Sequence, residues 1–579
     1  MHAFDKPPPQ LRPVPLEAAF MRRLVFPARL WLAVLAIVGL YAASSVSAQA
    51  QEPLRNTIDT HLRTAWQQHK ITPADASDDA AFQRRVWLDL CGIIPSHDDA
   101  LAFLNDTSPD KRAKLIDRLL EDPRYGLHQS DEWDLVYFGR NPPGYEARNR
   151  DGFKRWLRDA FAGNMPYDEM ARAILNAEGN TAEQGPPMFL VQYDRHPEDA
   201  AMAVSQTFLG VQLQCARCHD HPHESWTQRD FYGMAAFFAR LQMVKAGKIK
   251  VEDKEFEKIY LGELNTGDVK FTGSAKDAKP GQKGEPVKPK FLLAAALEEP
   301  DFSAEIKDEK RLADGKPPAA PRFSRKEKLA AWVTAPENPY FARAVANRIW
   351  AQYMGRGIVH PVDNMSESNR PSHPELLEAL SKELIAHKFD IKWFTRELLM
   401  SQAYQLSAAG AVADAKPQWF ERARIRPLSA EELLESWRVA TGYDVVAQSK
   451  PKENKGRYYG LTFDYIRRYF GEPNNGVGDF QGGMHEHLYL NNGELSRIVT
   501  TEKGGLIDRV LTSEEPWDAR VERMYLSILS RRPSEEERAK FTEYCQLPEK
   551  DKGSKEKQSE RVREAVWVLM TCSEFRFNH

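Results

Sequence analysis

The segment Cys215-Ala216-Arg217-Cys218-His219 places two thiols three positions apart and an imidazole directly after the second. That spacing encodes covalent attachment of a c-type haem. Each thiol closes a thioether onto a porphyrin vinyl group, and the histidine is then held beneath the iron as an axial ligand. The run continues Asp220-His221-Pro222-His223, which supplies more nitrogen donors than a haem tether uses. Cys215 and Cys218 with two of His219, His221 and His223 would satisfy a tetrahedral zinc site or hold another divalent metal. A third reading is a disulfide between Cys215 and Cys218, formed in an oxidising compartment, with histidines that only cap and hydrogen-bond. Haem c leads, with zinc or another divalent metal as the alternative cofactor.

A haem has a second axial face. His221 and His223 follow the proximal ligand too closely to pass round the ring edge, and read instead as pocket residues. Met188, Met202, Met234 and His196 are the nearby candidates for the sixth position, although each also fits a core or loop role. An open sixth position would permit ligand binding or peroxide chemistry in place of electron transfer. Phe208-Leu209-Gly210-Val211 could supply an apolar wall.

Covalent haem attachment takes place outside the cytoplasm, and the N-terminus reads as an export signal. Arg22, Arg23 and Arg29 precede an uncharged apolar run from Leu30 to Ala43, followed by small residues ending Ala48-Gln49-Ala50. The run is shorter than the roughly 20 residues that cross a bilayer core, so cleavage is expected, with membrane contact only if the signal is retained. Removing residues 1–50 takes away five Lys/Arg and two Asp/Glu, moving the formal charge from -3 to -6. A mildly acidic chain with interspersed charges lacks the basic footprint of a nucleic-acid binder, so no nucleic acid partner is expected. Five cysteines in 579 residues are too few to staple the fold, which leaves the closely spaced pair needing its own explanation.

Positioning these residues requires several folded units, since 579 residues exceed what one ordinary core sustains. The fold class expected is mainly α: two helical domains joined by a small β-containing insert. Residues 1–50 are the signal, 51–241 an N-terminal helical domain carrying CxxCH, 242–320 the insert with a flexible linker, and 321–579 a C-terminal helical domain. Ala113, Leu115, Ile116, Leu119 and Leu120 share one helical face behind Ser108 as N-cap and Pro109, and that helix ends at Asp122-Pro123. Ser96 with Asp99, Ser372 with Glu375, Ser429 with Glu432 and Ser534 with Glu537 read as capping boxes or variants of them. Trp87, Trp133, Trp156 and Trp226 read as core anchors. Lys250-Val251-Glu252 and Val269-Lys270-Phe271 alternate as strands do, and Gly273 to Lys290 is a Lys-, Gly- and Pro-rich linker.

Several stretches together also resemble a known pattern. Arg85-Val86-Trp87-Leu88-Asp89-Leu90 with Gly92-Ile93-Ile94-Pro95, and Phe208-Leu209-Gly210 through Cys215 to Pro222 and Phe237-Phe238, resemble the planctomycete-type cytochrome-associated N-terminal domain of unknown function. Ala346-Asn347-Arg348-Ile349-Trp350, Gly355-Arg356-Gly357, Ser372-His373-Pro374-Glu375-Leu376-Leu377, Glu574-Phe575 and Asn578-His579 resemble its usual C-terminal partner domain. The resemblance implies an exported, periplasmic, cytochrome-like protein found with small cytochrome modules and sulfatase-like partners. No added cytochrome module is present in this chain, and the linker is more charged than is typical.

The expected function is therefore an exported c-type haem protein with a redox or electron-transfer role, working with a redox partner or exported cytochrome. The alternative is a metal-dependent hydrolase or binding protein acting on extracellular polysaccharide through the Cys/His cluster. Asn347, Arg348, Asp363, Asn364 and His373 could line a polar pocket, but Asn347 to Trp350 also fit a packed helix, the reading preferred here. No nucleophile elbow, phosphate loop or HExxH segment occurs.

Overall fold

Short polar residues open most of the helices. Asp78, Ser96, Asp122, Thr227, Asp390, Ser429 and Ser534 each accept a hydrogen bond from a first-turn amide, satisfying a donor that the helix leaves unpaired. In the computed structural model the described residues are 52–139, 150–251, 254–271, 284–301, 319–410, 416–442, 503–548, 551 and 553–579. The expected signal segment, Glu252 and most of the linker from Gly273 lie outside them.

The fold is mainly α. The helices in chain order are α1 (Leu54–His69), α2 (Asp79–Cys91), α3 (His97–Asn105), α4 (Lys111–Leu120), α5 (Pro123–Phe138), α6 (Asp151–Ala162), α7 (Tyr167–Leu175), α8 (Thr181–Gln184), α9 (Pro187–Val191), α10 (Pro197–Leu209) and α11 (Gln228–Ala235). After the strands come α12 (Arg325–Val333), α13 (Phe341–Met354), α14 (Pro374–Ala386), α15 (Ile391–Met400), α16 (Ala430–Thr441), α17 (Leu506–Thr512), α18 (Trp517–Leu529), α19 (Glu535–Cys545), α20 (Lys555–Thr571) and α21 (Ser573–Arg576). Strand β1 (Gly179–Asn180) joins a long antiparallel hairpin, β2 (Leu241–Val251) and β3 (Lys254–Glu263), in the order β1-β3-β2. The register runs from Leu241 opposite Glu263 to Val251 opposite Lys254. Two short pairs complete the sheets: β4 (Val269–Lys270) with β5 (Pro286–Val287), and β6 (Arg426–Pro427) with β7 (Phe577–Asn578).

Two capping expectations shift in detail. The helix after Ser108 begins at Lys111, with Asp110 before it and a turn at Pro109, and it ends at Leu120; Asp122 and Pro123 open α5 instead. Ser372 is not a cap: Pro374 takes the first helical position, where its missing N–H costs nothing, so the residue before it, His373, becomes the N-cap. The Ser372 hydroxyl donates to Ile358 O at 3.1 Å. The boxes at Ser429/Glu432 and Ser534/Glu537 form as expected.

Pro53–His579 form one compact unit with two apolar cores. The first draws on residues from Leu54 to Phe420, with Trp87, Trp133 and Trp350 among its largest buried side chains. The second joins α16–α21 to Leu88 and Ile94. Helix α2 sits between the cores and is buried from Phe82 to Cys91, as expected of a helix enclosed on every side.

That enclosure takes Arg84, Arg85 and Asp89 out of water, and each is hydrogen-bonded by distant chain, although Arg84 Nε and Arg85 Nη2 are left without a partner. Arg84 donates to Ile528 O at 3.2 Å and Phe575 O at 2.8 Å. Arg85 donates to Tyr404 O at 2.6 Å and Leu406 O at 3.0 Å. Asp89 accepts from Tyr404 Oη at 2.8 Å, Arg426 Nη2 at 2.9 Å and Asn578 Nδ2 at 2.8 Å. Arg426 also grips Glu432 with two bonds of 2.7 Å. Burial opposes its charge, yet the Glu432 and Asp89 carboxylates hold the Arg426 guanidinium well above its ordinary range.

Candidate functional site

Helix α10 stops at Gly210, whose φ of +66° is the left-handed C-cap conformation. Val211 and Leu213 then enter the core, and Gln214–Arg217 form one 3₁₀ turn. Ala216 is fully buried, and its N–H donates to Leu213 O at 3.0 Å. With that residue anchored inward, Cys215 and Cys218 on either side of it are exposed, free thiols. The other three cysteines differ: burial pushes Cys91 and Cys572 above their ordinary range and Cys545 up to about 12, which favours the protonated thiol.

The chain after Cys218 closes on itself. Thr227 and Asp230 make a capping box for α11, and Lys290 reaches Asp230 at 2.6 Å. From that helix, Gln228 N donates to Asp220 Oδ1 at 2.8 Å and Gln228 Nε2 to Arg217 O at 3.1 Å.

Within this loop the three histidines have different roles. The exposed His219 places Nδ1 2.7 Å from Asp220 O. A carbonyl only accepts, so Nδ1 carries a proton, and in the neutral ring Nε2 holds the lone pair. His221 is the reverse. Its N–H donates to Trp226 O at 2.8 Å, and its Nδ1 accepts from the amides of His223 at 3.3 Å and Glu224 at 3.1 Å. Both bonds use the Nδ1 lone pair, so neutral His221 carries its proton on Nε2 and organises the turn. His223 is exposed. Among the described residues, no group of three or more His, Cys, Asp or Glu side chains is arranged to hold a metal ion.

The other candidates are distributed through the fold. Met188 and Met234 lie in the first core, Met202 is half-buried against it, and His196 is exposed ahead of α10. Phe208, Leu209 and Val211 are buried in that core, where Phe208 packs on Tyr137 and Phe189. They form core rather than a wall for the Cys215–His219 loop, because an amphipathic helix turns its apolar face inward. Asn347 is fully buried and clamps the following loop, donating to Val359 O at 2.9 Å and accepting from Val359 N at 2.9 Å. His373 packs edge-on to Trp419 and tilted against Phe420.

Asp363 is a candidate from the sequence, but its partners and the residues that follow it, Met365, Glu367 and Ser368, are not. Asp363 accepts from Gln206 and, at 3.5 Å, from Gln212. Met365 N donates to Gly210 O at 2.7 Å. Glu224 accepts from Glu367 N at 2.9 Å, Ser368 N at 3.3 Å and Ser368 Oγ at 2.6 Å. These ties bridge more than 140 positions of sequence, as the 144 between Glu224 and Ser368 shows, and no local pattern announces them.

Two family models match the chain. Residues 57–243 match PSCyt2, described as a protein of unknown function (DUF1549), and residues 325–459 match PSD1, likewise of unknown function (DUF1553). The chain carries the PSCyt2 and PSD1 domain pair. No curated protein and no solved structure matches it. Cys215, Cys218, His219, His221 and His223 all fall within the PSCyt2 segment, whereas Asp363, Met365, Glu367 and Ser368 belong to PSD1.

Proposed function

We propose that this is an exported c-type haem protein with a redox role, in which Cys215 and Cys218 are the tethers and His219 the proximal ligand. The observation that carries the reading is the His219 Nδ1–H bond to Asp220 O at 2.7 Å, on an exposed histidine directly after two exposed thiols. A ligating histidine generally donates its other ring N–H to a carbonyl or carboxylate, which fixes the tautomer and makes the free nitrogen more basic. Exposed thiols fit enzymatic attachment, which needs access to both sulfurs. The inward Ala216 keeps them on the surface.

A c-type haem bound here would supply one-electron transfer. The chain's own part is to hold the imidazole in one tautomer, through Asp220, and to fix the loop, through Gln228 and the α11 cap. Export is part of the same proposal, because the attachment chemistry is extracytoplasmic. No helix among the described residues is long and apolar enough to cross a membrane.

The test is expression in a host with c-type haem assembly machinery, followed by haem staining of a denaturing gel and a visible spectrum. The expected result is one haem per chain that resists acid-acetone extraction and is lost in the Cys215→Ser, Cys218→Ser double variant. A colourless chain carrying stoichiometric zinc would sink the proposal and favour a metal-dependent hydrolase or binding protein.

A further inference from the structure

The loop that carries the thiols is held at both of its ends by one short stretch of PSD1. At the entry, Met365 N donates to Gly210 O at 2.7 Å, and Asp363 takes the amides of Gln206 and Gln212. At the exit, the Glu224 carboxylate accepts three bonds from Glu367 and Ser368. Glu224 faces both ways, since its own N–H donates to His221 Nδ1 at 3.1 Å inside the loop. Bonds to a carboxylate are the stronger kind of hydrogen bond.

We propose that Glu224 is a positioning residue through which the PSD1 segment 363–368 fixes the presentation of Cys215, Cys218 and His219. This gives the second domain a role at the site of the first, and it rests on the haem reading above. Pulling the 366–368 segment away from Glu224 frees the His221 turn. That turn shares the short path Asp220–Gln228 with the Asp220 carbonyl that orients His219. Burial opposes ionisation of Glu224, but bonds from Ser368, Glu367 and Ser366 outweigh it and hold its carboxyl below the ordinary range.

The test compares wild type, Glu224→Ala and Ser368→Ala as full chains, each in haem-free and haem-loaded form. In the haem-free chain, amide exchange at Glu224, Gln228, Glu367 and Ser368 is expected to rise about tenfold in Glu224→Ala, and less in Ser368→Ala, while the core helices stay protected. In the loaded chain, Glu224→Ala is expected to shift the reduction potential and the ligand-field spectrum, and Glu224→Gln, which keeps one acceptor, to restore them partly. Unchanged exchange and potential in both variants would overturn the proposal. Should Glu224→Ala fail to fold, Ser368→Ala decides by the same readouts. Wild type that never takes up haem overturns the haem reading on its own, whereas the exchange comparison separately decides whether the clasp exists.

Discussion

Asp89 and Asn578 lie 489 positions apart in sequence and meet through a 2.8 Å hydrogen bond from the Asn578 amide to the Asp89 carboxylate. Tyr404 and Arg426 donate to the same carboxylate. One buried acid on α2 therefore collects the 404 loop, strand β6 and strand β7. Arg84 and Arg85, one helical turn earlier, bind the same distant regions through carbonyl oxygens.

Removing the charge of the buried Asp89 leaves the half-buried Arg426 with one carboxylate partner instead of two. Asp89→Asn is expected to cost about 3–5 kcal/mol, the usual range for breaking a buried ion pair from one side. Urea unfolding followed by far-UV circular dichroism checks this; a loss below about 1 kcal/mol would show that the clasp is dispensable.

His373 gives the acid side of the stability profile. Burial, helped by His69 and His61, lowers its pKa from 6.5 to about 4. Between those values the unfolded chain binds a proton that the folded chain refuses, so this contribution is complete above about pH 6.5 and is lost as pH falls toward 4. His373→Phe keeps a ring against Trp419 and Phe420 and cannot titrate. Urea midpoints measured from pH 7 to 4 should fall less steeply in the variant than in wild type.

Gly210 and Gly247 separate strain from collision. Both have positive φ, +66° and +85°. A Cβ on Gly210 would sit 3.2 Å from Met365 Cγ, whereas one on Gly247 meets nothing within 4 Å. Gly247→Ala should lose only the left-handed conformational cost of about 1–2 kcal/mol. Gly210→Ala should lose more and also disturb the Met365 bond to residue 210. Thermal midpoints of the two variants provide the comparison, and equal losses would contradict it.

The thiols and the residue between them should behave oppositely. Cys215→Ser with Cys218→Ser alters exposed groups and is expected to change stability by less than about 0.5 kcal/mol. Ala216→Leu forces three extra carbons into a filled core and should cost about 1–3 kcal/mol or more. Chemical denaturation of the haem-free proteins distinguishes the two cases.

Much of the local structure was legible in the residues. Ser429/Glu432 and Ser534/Glu537 cap helices because a hydroxyl and a carboxylate three positions apart can exchange bonds with each other's amides. Ser372/Glu375 has the same spacing and fails, because Pro374 sets the helix start one position later. The thiol and imidazole donors could be read from spacing, but not the division of labour between His219 and His221. That depends on which backbone groups approach each ring. Leu88 stands out only as part of a motif, which does not say what it packs against. The arginines and Asp89 of α2 carry no local sign that they bind residues hundreds of positions away. The motif Arg85 to Leu90 and the motif Glu574 to His579 were each visible, and their contact was not.

Leu88 and Ile94 fall within the PSCyt2 segment yet pack into the core built by α16–α21, while the PSD1 residues Trp350 and Leu376 pack into the core begun by α1. Neither segment can be cut out cleanly. A gene fragment encoding one of them would yield a chain with greasy surfaces that its missing half was meant to cover, prone to clump with its own copies. On physical grounds the two segments should be handled at the bench as a single object.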